Sequence, residues 1–234
     1  MVSISGNTGL GWYEDHSTLQ HYWYTRSGGV NSIVTDFSPP YGLDASLTGI
    51  SGNNLIGYTN GGGSNYYGLF YDGSTTVDLI EHAGTDTYAL GVDGTNVVGE
   101  ILVAGPATQS FLYNARTFTP LIDPLAYGET IARGISGANI VGDYTDMTTE
   151  HGFIINATRW TTYDVPVAEA VQTEIQGISG NTIYGQYFTH NSQLYGFVDT
   201  LNLSPSSTPE PGNVATLIGI TITAGLAIQR RRIR

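Results

Sequence analysis

Apolar residues in this chain come in short bursts. Before residue 212 no stretch keeps the three-to-four spacing of an amphipathic helix; β-branched and aromatic runs alternate instead with Gly, Asn, Asp, Ser and Thr. One burst recurs as a phrase of nine residues. It is fullest at Gly134-Ile135-Ser136-Gly137-Ala138-Asn139-Ile140-Val141-Gly142, and it returns at 49–57, 91–99 and 177–185, with a looser copy at 3–11. Its closing glycine falls at Gly11, Gly57, Gly99, Gly142 and Gly185, in steps of 46, 42, 43 and 43 residues. A steady period of that size belongs to repeat architectures, in which each unit buries its face only against its neighbours.

The phrase reads as a strand running into a tight hairpin. Gly6, Gly52, Gly94, Gly137 and Gly180 stand where the turn needs a positive φ, with Asn or Asp beside most of them. The apolar pair that follows, Ile140-Val141 or Leu55-Ile56, opens a strand, and the closing glycine inside that strand predicts a bulge or a close backbone approach. Aromatic runs follow in each unit: His21-Tyr22-Trp23-Tyr24, Tyr67-Gly68-Leu69-Phe70-Tyr71, Gln109-Ser110-Phe111-Leu112-Tyr113, His151-Gly152-Phe153-Ile154-Ile155 and Tyr195-Gly196-Phe197-Val198. Further strands are expected at 75–80, 116–121 and 159–165, and again at 87–90, 130–133 and 173–176 before the next phrase. Four strands of roughly five residues with four turns of similar length use about 40 residues, which matches the period. That arithmetic predicts an all-β fold, a β-propeller of about five four-stranded blades. The units are 2–48, 49–90, 91–133, 134–176 and 177–203, joined through 36–47, 82–86, 123–129 and 165–171. The set is ragged at both ends. Either one end supplies the strand the other lacks, or further blades precede residue 1.

The tail changes character. A linker at 204–211 holds Ser204, Pro205 and the run Pro209-Glu210-Pro211; an apolar segment at 212–229 follows, and Arg230, Arg231, Arg232 and Arg234 close the chain. The apolar run is at the short edge of the ~17–25 residues that span a bilayer, and arginines on one side only would hold that side in the cytoplasm. A transmembrane helix is expected there.

Composition narrows the partners. The chain has no Cys and no Lys, and residues 1–208 carry a net charge of −15. A surface this acidic repels phosphate backbones, which argues against nucleic acid. Glu14-Asp15, or Asp143 with Asp146, are the candidates for Ca²⁺, although no run matches a Ca²⁺ loop; no other cofactor or metal has candidate ligands. His21 and His151 fall in equivalent strands, as a pair facing a central channel would. Ser51, Ser136 and Ser179 recur with the turn, so they read as turn residues and not as nucleophiles. Trp12, Tyr13, Trp23, Tyr66, Tyr67, Trp160 and Tyr187 could stack on sugars, with packing as the competing role.

Two resemblances follow from these motifs. The G-I-S-G-x-x-I-V-G phrase, the aromatic strand and the stretch Thr161 to Pro166 resemble the extracellular HAF-type repeats of bacterial exported proteins, over residues 3 to about 200. The third unit departs at Glu100 and at Ser110, which replaces a glycine. Pro209-Glu210-Pro211, the apolar segment and the arginines, in that order, resemble the PEP-CTERM sorting signal. That resemblance implies export, inner-membrane anchoring, processing by an exosortase-type enzyme and an association with exopolysaccharide at the cell surface. Such proteins begin with a signal peptide, and residues 1–10 do not form one, so a start further upstream is expected. No catalytic residue comes with the resemblance to the HAF-type repeats. The expectation is a non-enzymatic envelope interaction module; the alternative is a carbohydrate-active or other hydrolytic propeller using carboxylates at one ring face, recognisable by convergent acids with raised pKa values.

Overall fold

The computed structural model describes residues 3–14, 16–17, 21–33, 45–60, 65–79, 85–102 and 108–201. The tail features, from Pro209-Glu210-Pro211 to Arg234, lie outside the described residues.

Five antiparallel sheets are formed in chain order. The first holds β1 (Ser3–Ser5), β2 (Thr8–Glu14), β3 (His21–Ser27) and β4 (Val30–Ile33); the second β5 (Ala45–Ser51), β6 (Asn54–Asn60), β7 (Tyr66–Tyr71) and β8 (Thr76–Leu79). The third holds β9 (Asp86–Asp93), β10 (Asn96–Leu102), β11 (Thr108–Asn114) and β12 (Thr117–Leu121); the fourth β13 (Thr130–Ser136), β14 (Asn139–Thr145), β15 (Glu150–Asn156) and β16 (Arg159–Tyr163). The fifth has three strands among the described residues, β17 (Ala170–Ser179), β18 (Thr182–Thr189) and β19 (Leu194–Thr200). The first strands of all five sheets line one central channel. The fold is a five-bladed β-propeller.

Two details refine the expectation. The residues expected to form a fourth strand and the Gly-Ile-Ser that follows are one continuous strand, the innermost of the next blade, as in β13. The first blade is not missing its inner strand: β1 is present, with three residues where β13 has seven.

The apolar pair of each phrase works on both faces of its blade. Adjacent strand residues point to opposite faces, so one member packs backward and the other forward. Val97 joins Ile56 and Phe70 of the second blade, while Val98 joins Ala132 and Phe153 of the fourth. Ile140 and Val141 divide in the same way between the third and fifth blades. Among the described residues the hydrophobic core is thus four clusters, one at each boundary between consecutive blades.

Both glycine positions have a physical cause. Gly52, Gly94, Gly137 and Gly180 have φ of +57 to +60°, and Gly6 has +56°, while the residue after each keeps a negative φ. That is the two-residue hairpin with a positive φ at its first central position only, a type II′ turn. The closing glycine answers a different need. A Cβ at Gly142 would lie 1.9 Å from the Ile131 carbonyl oxygen, and one at Gly99 would lie 1.9 Å from that of Tyr88. These carbonyls are displaced by a bulge in the inner strand, which skips Thr48, Leu90, Arg133 and Gln176 in the pairing. Gly99, Gly142 and Gly185 also sit opposite Phe111, Phe153 and Phe197, whose rings lie across the vacant Cβ position.

Candidate functional site

Positions needed for folding repeat in every blade; positions that differ from blade to blade around one mouth are free to serve something else. The residue after the closing glycine is such a position. It is Trp12, Tyr58, Glu100, Asp143 and Gln186 in the five blades. In blades two to four it reaches toward the inner strand of the following blade. Tyr58 packs edge-on against Tyr88 with ring centroids 5.0 Å apart; Glu100 interacts with Arg133, and Asp143 with Glu174. Together they make a belt that is aromatic in the second and third blades and ionic from the third to the fifth.

In the aromatic arc, Tyr66 lies 5.9 Å from Tyr58 and 5.7 Å from Tyr88, and it is the most open of the three. The Tyr88 hydroxyl is pushed up to about 12, first by burial and then by the charges of Asp86 and Glu100 and by its tyrosine neighbours. It stays a hydrogen-bond donor at any physiological pH. The polarity of the belt therefore changes between Tyr88 and its strand partner Glu100.

Arg133 dominates the ionic arc. It is the bulged residue of β13, which turns its side chain to the channel wall. Its Nη2 donates to one Asp143 oxygen at 3.2 Å and its Nε donates to the other, a two-pronged grip on a carboxylate that is 2 % exposed. Burial opposes the guanidinium charge, but the hydrogen bond and charge of Asp143, with Glu174 and Glu100 behind it, more than compensate. The acids outnumber the cation. Burial pushes Glu100, Asp143 and Glu150 upward, and Glu150 reaches about 8 because it also hydrogen-bonds the Asp143 carboxylate. Glu174 accepts hydrogen bonds from Gln176 at 3.0 Å and Gln186 at 2.6 Å. One cation thus serves several carboxylates, and protons make up the shortfall.

The channel beside the belt has a cavity of about 560 Å³. Ile4, Ile50, Val92, Ile135 and Ile178, the second residue of each phrase, line it together with the bulged Thr48, Leu90, Arg133 and Gln176.

The other sequence candidates are placed elsewhere. Ser51 and Ser136 are turn residues, as expected, and they also bridge blades: Ser51 accepts the Gly94 amide and Ser136 the Gly180 amide, each at 3.0 Å. Ser179 lines the channel. His151 is not at the channel; it is stacked on Tyr144 between Asp164, 2.9 Å from its Nδ1, and Asp146, 3.4 Å from its Nε2. A third-strand position faces a blade boundary and not the axis, so His151 does not take the channel role that its equivalence to His21 left open. Asp143 and Asp146 do not form a Ca²⁺ site: the first is held by Arg133, and the second closes its own turn onto the Thr148 and Thr149 amides. Asp15, the other half of the Glu14 candidate, lies outside the described residues. Among the described residues no group of three or more His, Asp or Glu is placed to hold a metal. Of the aromatic candidates, Tyr66 is in the belt, and Trp12 and Tyr13 are exposed on the first blade. Trp23 donates to the Ala45 carbonyl at 2.8 Å, Trp160 packs on Phe153, and Tyr187 stacks on Tyr195. Ser110, the departure in the third unit, donates to the Thr130 carbonyl and accepts from the Ala132 amide, tying the third blade to the fourth.

The chain is similar to the β-propeller domain of the Trilobed protease from Pyrococcus furiosus, a domain described as having an open velcro topology. The TM-score is 0.56 at 8% sequence identity, with 81% of this chain and 62% of that chain covered. At that identity the likeness is one of fold. The chain spans 62% of that domain's length. No protein-family model and no curated protein matches the chain.

Proposed function

We propose that the chain is an exported cell-envelope protein whose propeller binds polysaccharide without cleaving it, and whose tail is the sorting signal that the Pro209-Glu210-Pro211 motif resembles. In this reading the segment 212–229 anchors the product in the inner membrane, Arg230, Arg231, Arg232 and Arg234 stay cytoplasmic, and an exosortase-type enzyme processes the linker. The observation that carries the binding function is the belt, whose Arg133 also lines the channel. Tyrosine rings give flat apolar faces for sugar C–H groups, and the adjoining carboxylates, amides and guanidinium give partners for hydroxyls. The test is isothermal titration of the purified propeller against soluble polysaccharides, with product analysis for new reducing ends. Saturable binding without turnover is expected, and Tyr66→Ala should weaken it about three- to tenfold. Deleting 209–234 should move the protein from the membrane to the soluble fraction with the propeller still folded. A deletion that leaves it in the membrane fraction sinks the anchoring claim.

One observation favours the alternative, a hydrolytic propeller. Carboxylates with raised pKa values do converge here, and Glu150 holds a proton to about pH 8 beside Asp143. The arrangement within that pair argues for binding instead. Glycoside hydrolysis needs two carboxyl groups about 5–10 Å apart across the bond, whereas these two hydrogen-bond each other and Asp143 is already held by Arg133. Release of reducing sugar that Glu150→Gln abolishes would establish the alternative.

A further inference from the structure

Within the channel the apolar collar repeats, while the bulged residues change from blade to blade, as Thr48, Leu90, Arg133 and Gln176. We propose that the channel is an end-reading subsite: it takes the terminal residue of a neutral glycan whose following residues lie over the tyrosine arc. This rests on the polysaccharide-binding reading above and adds which part of the polymer is recognised.

Three features point to a terminal, uncharged sugar. First, the cavity is on the axis and is walled by the inner strands of all five blades. The middle of a polymer can only cross the mouth of such a space, whereas an end can enter it. Second, the lining is in two layers. The collar of Ile4, Ile50, Val92, Ile135 and Ile178 is apolar; the layer of bulged residues holds Leu90 and three polar side chains, Thr48, Arg133 and Gln176, of which Thr48 donates to the Ala89 carbonyl and Gln176 to Glu174, leaving their oxygens as acceptors. A pyranose has the same division, with C–H groups on its faces and hydroxyls at its edge. The inner strands pair on one side only, so their other backbone edge faces the axis and presents donors and acceptors alike. Hydroxyls serve both. Third, the charge selects. Arg133 is engaged by Asp143, so it has no free charge to offer an anion, and the Glu174 carboxylate stands beside it. A uronate, sulfate or phosphate group entering here would meet repulsion.

The experiment uses a panel of linear neutral trisaccharides, the polysaccharide of the linkage that binds, its cyclic or end-blocked form, and polygalacturonate as the charged control. Binding is read by titration on the full propeller and on two variants, Ile4→Trp, which fills the channel from a residue 64% exposed, and Gln176→Leu. Circular dichroism confirms folding of each. The expected result is that the trisaccharide displaces the polysaccharide completely, the end-less form and polygalacturonate do not bind, and either variant lowers affinity by about tenfold or more. Polysaccharide binding that survives both variants and extends to the end-less form would overturn the channel subsite and leave the binding reading in place. No binding of any neutral glycan would overturn both. If Ile4→Trp does not fold, Gln176→Leu and the end-less glycan decide the matter.

Discussion

Ser51 Oγ accepts the backbone amide of Gly94 at 3.0 Å, although the two residues belong to different sheets. The same contact joins Ser5 to Gly52 at 2.9 Å, Asp93 to Gly137 at 2.6 Å and Ser136 to Gly180 at 3.0 Å. In each case the last residue of an inner strand takes the amide of the next blade's turn glycine. The glycine that makes the turn thus also supplies the donor of the link between blades.

Removing one link should therefore loosen a blade boundary. Ser136→Ala is expected to cost about 0.5–1.5 kcal/mol, the net worth of a neutral hydrogen bond at a partly exposed site. In a domain of this size that is a fall in Tm of about 2–4 °C per kcal/mol. Differential scanning calorimetry checks it; an unchanged Tm would mean that solvent replaces the bond at no cost.

The two glycine positions should differ in severity. An alanine Cβ at Gly137 meets nothing within 4 Å, so Gly137→Ala costs only the backbone preference, about 1–2 kcal/mol. At Gly142 the Cβ would overlap the Ile131 carbonyl and the Phe153 ring. Gly142→Ala should cost more than about 3 kcal/mol, at or beyond the usual range for overpacking. Urea midpoints for the two variants, if equal, would refute this ordering.

Arg133 offsets carboxylates that have nowhere else to turn. Arg133→Ala leaves Asp143 buried without its cation and should cost about 3 kcal/mol or more at pH 7. The loss should shrink at pH 5, where protons replace the guanidinium. A destabilisation independent of pH would show that Arg133 acts by packing alone.

Stability should fall as pH rises from about 4.5 to 8. Glu150 keeps its proton in the folded chain to about pH 8, while the unfolded chain releases it near 4.5. Between these values the folded state binds more protons, so its advantage is whole at the acid end and disappears at the alkaline end. Glu100 and Asp143 are shifted in the same direction. At the acid limit Asp72 opposes them: four hydrogen bonds from its own turn, from the amides and hydroxyls of Thr75 and Ser74, hold it down to about 2, so its contribution is lost only as pH falls from the ordinary carboxylate range toward that value. Glu150→Gln should flatten the decline in thermal melts between pH 5 and 8, and an unaltered slope would assign it to other groups.

The fold was legible because its requirements repeat. Gly52, Gly94, Gly137 and Gly180 each need a positive φ, and Gly57, Gly99, Gly142 and Gly185 each face a displaced carbonyl, so the same residue appears at the same interval. The belt was not legible for the opposite reason. Tyr58 meets Tyr88, and Glu100 meets Arg133, only because consecutive inner strands stand side by side around an axis. Neither pair has a spacing that local structure would suggest. A signal was present: the residue just after the closing glycine changes chemical class from blade to blade, as Trp12, Tyr58, Glu100, Asp143 and Gln186. His151 failed for a related reason. Equivalent positions in different blades are related by rotation about the axis, and equivalence alone does not bring them close.

The Ser-to-Gly contacts all point the same way around the ring. Each of the first four blades offers an acceptor to the next, and each of the last four a donor to the one before, so this link is common to the four junctions. A copied cassette slipped between two existing ones would find both junctions already compatible. Such a molecule grows by duplication without inventing a new joint, and the count at which it stops is set by curvature, which leaves the mouth positions of each copy to diverge.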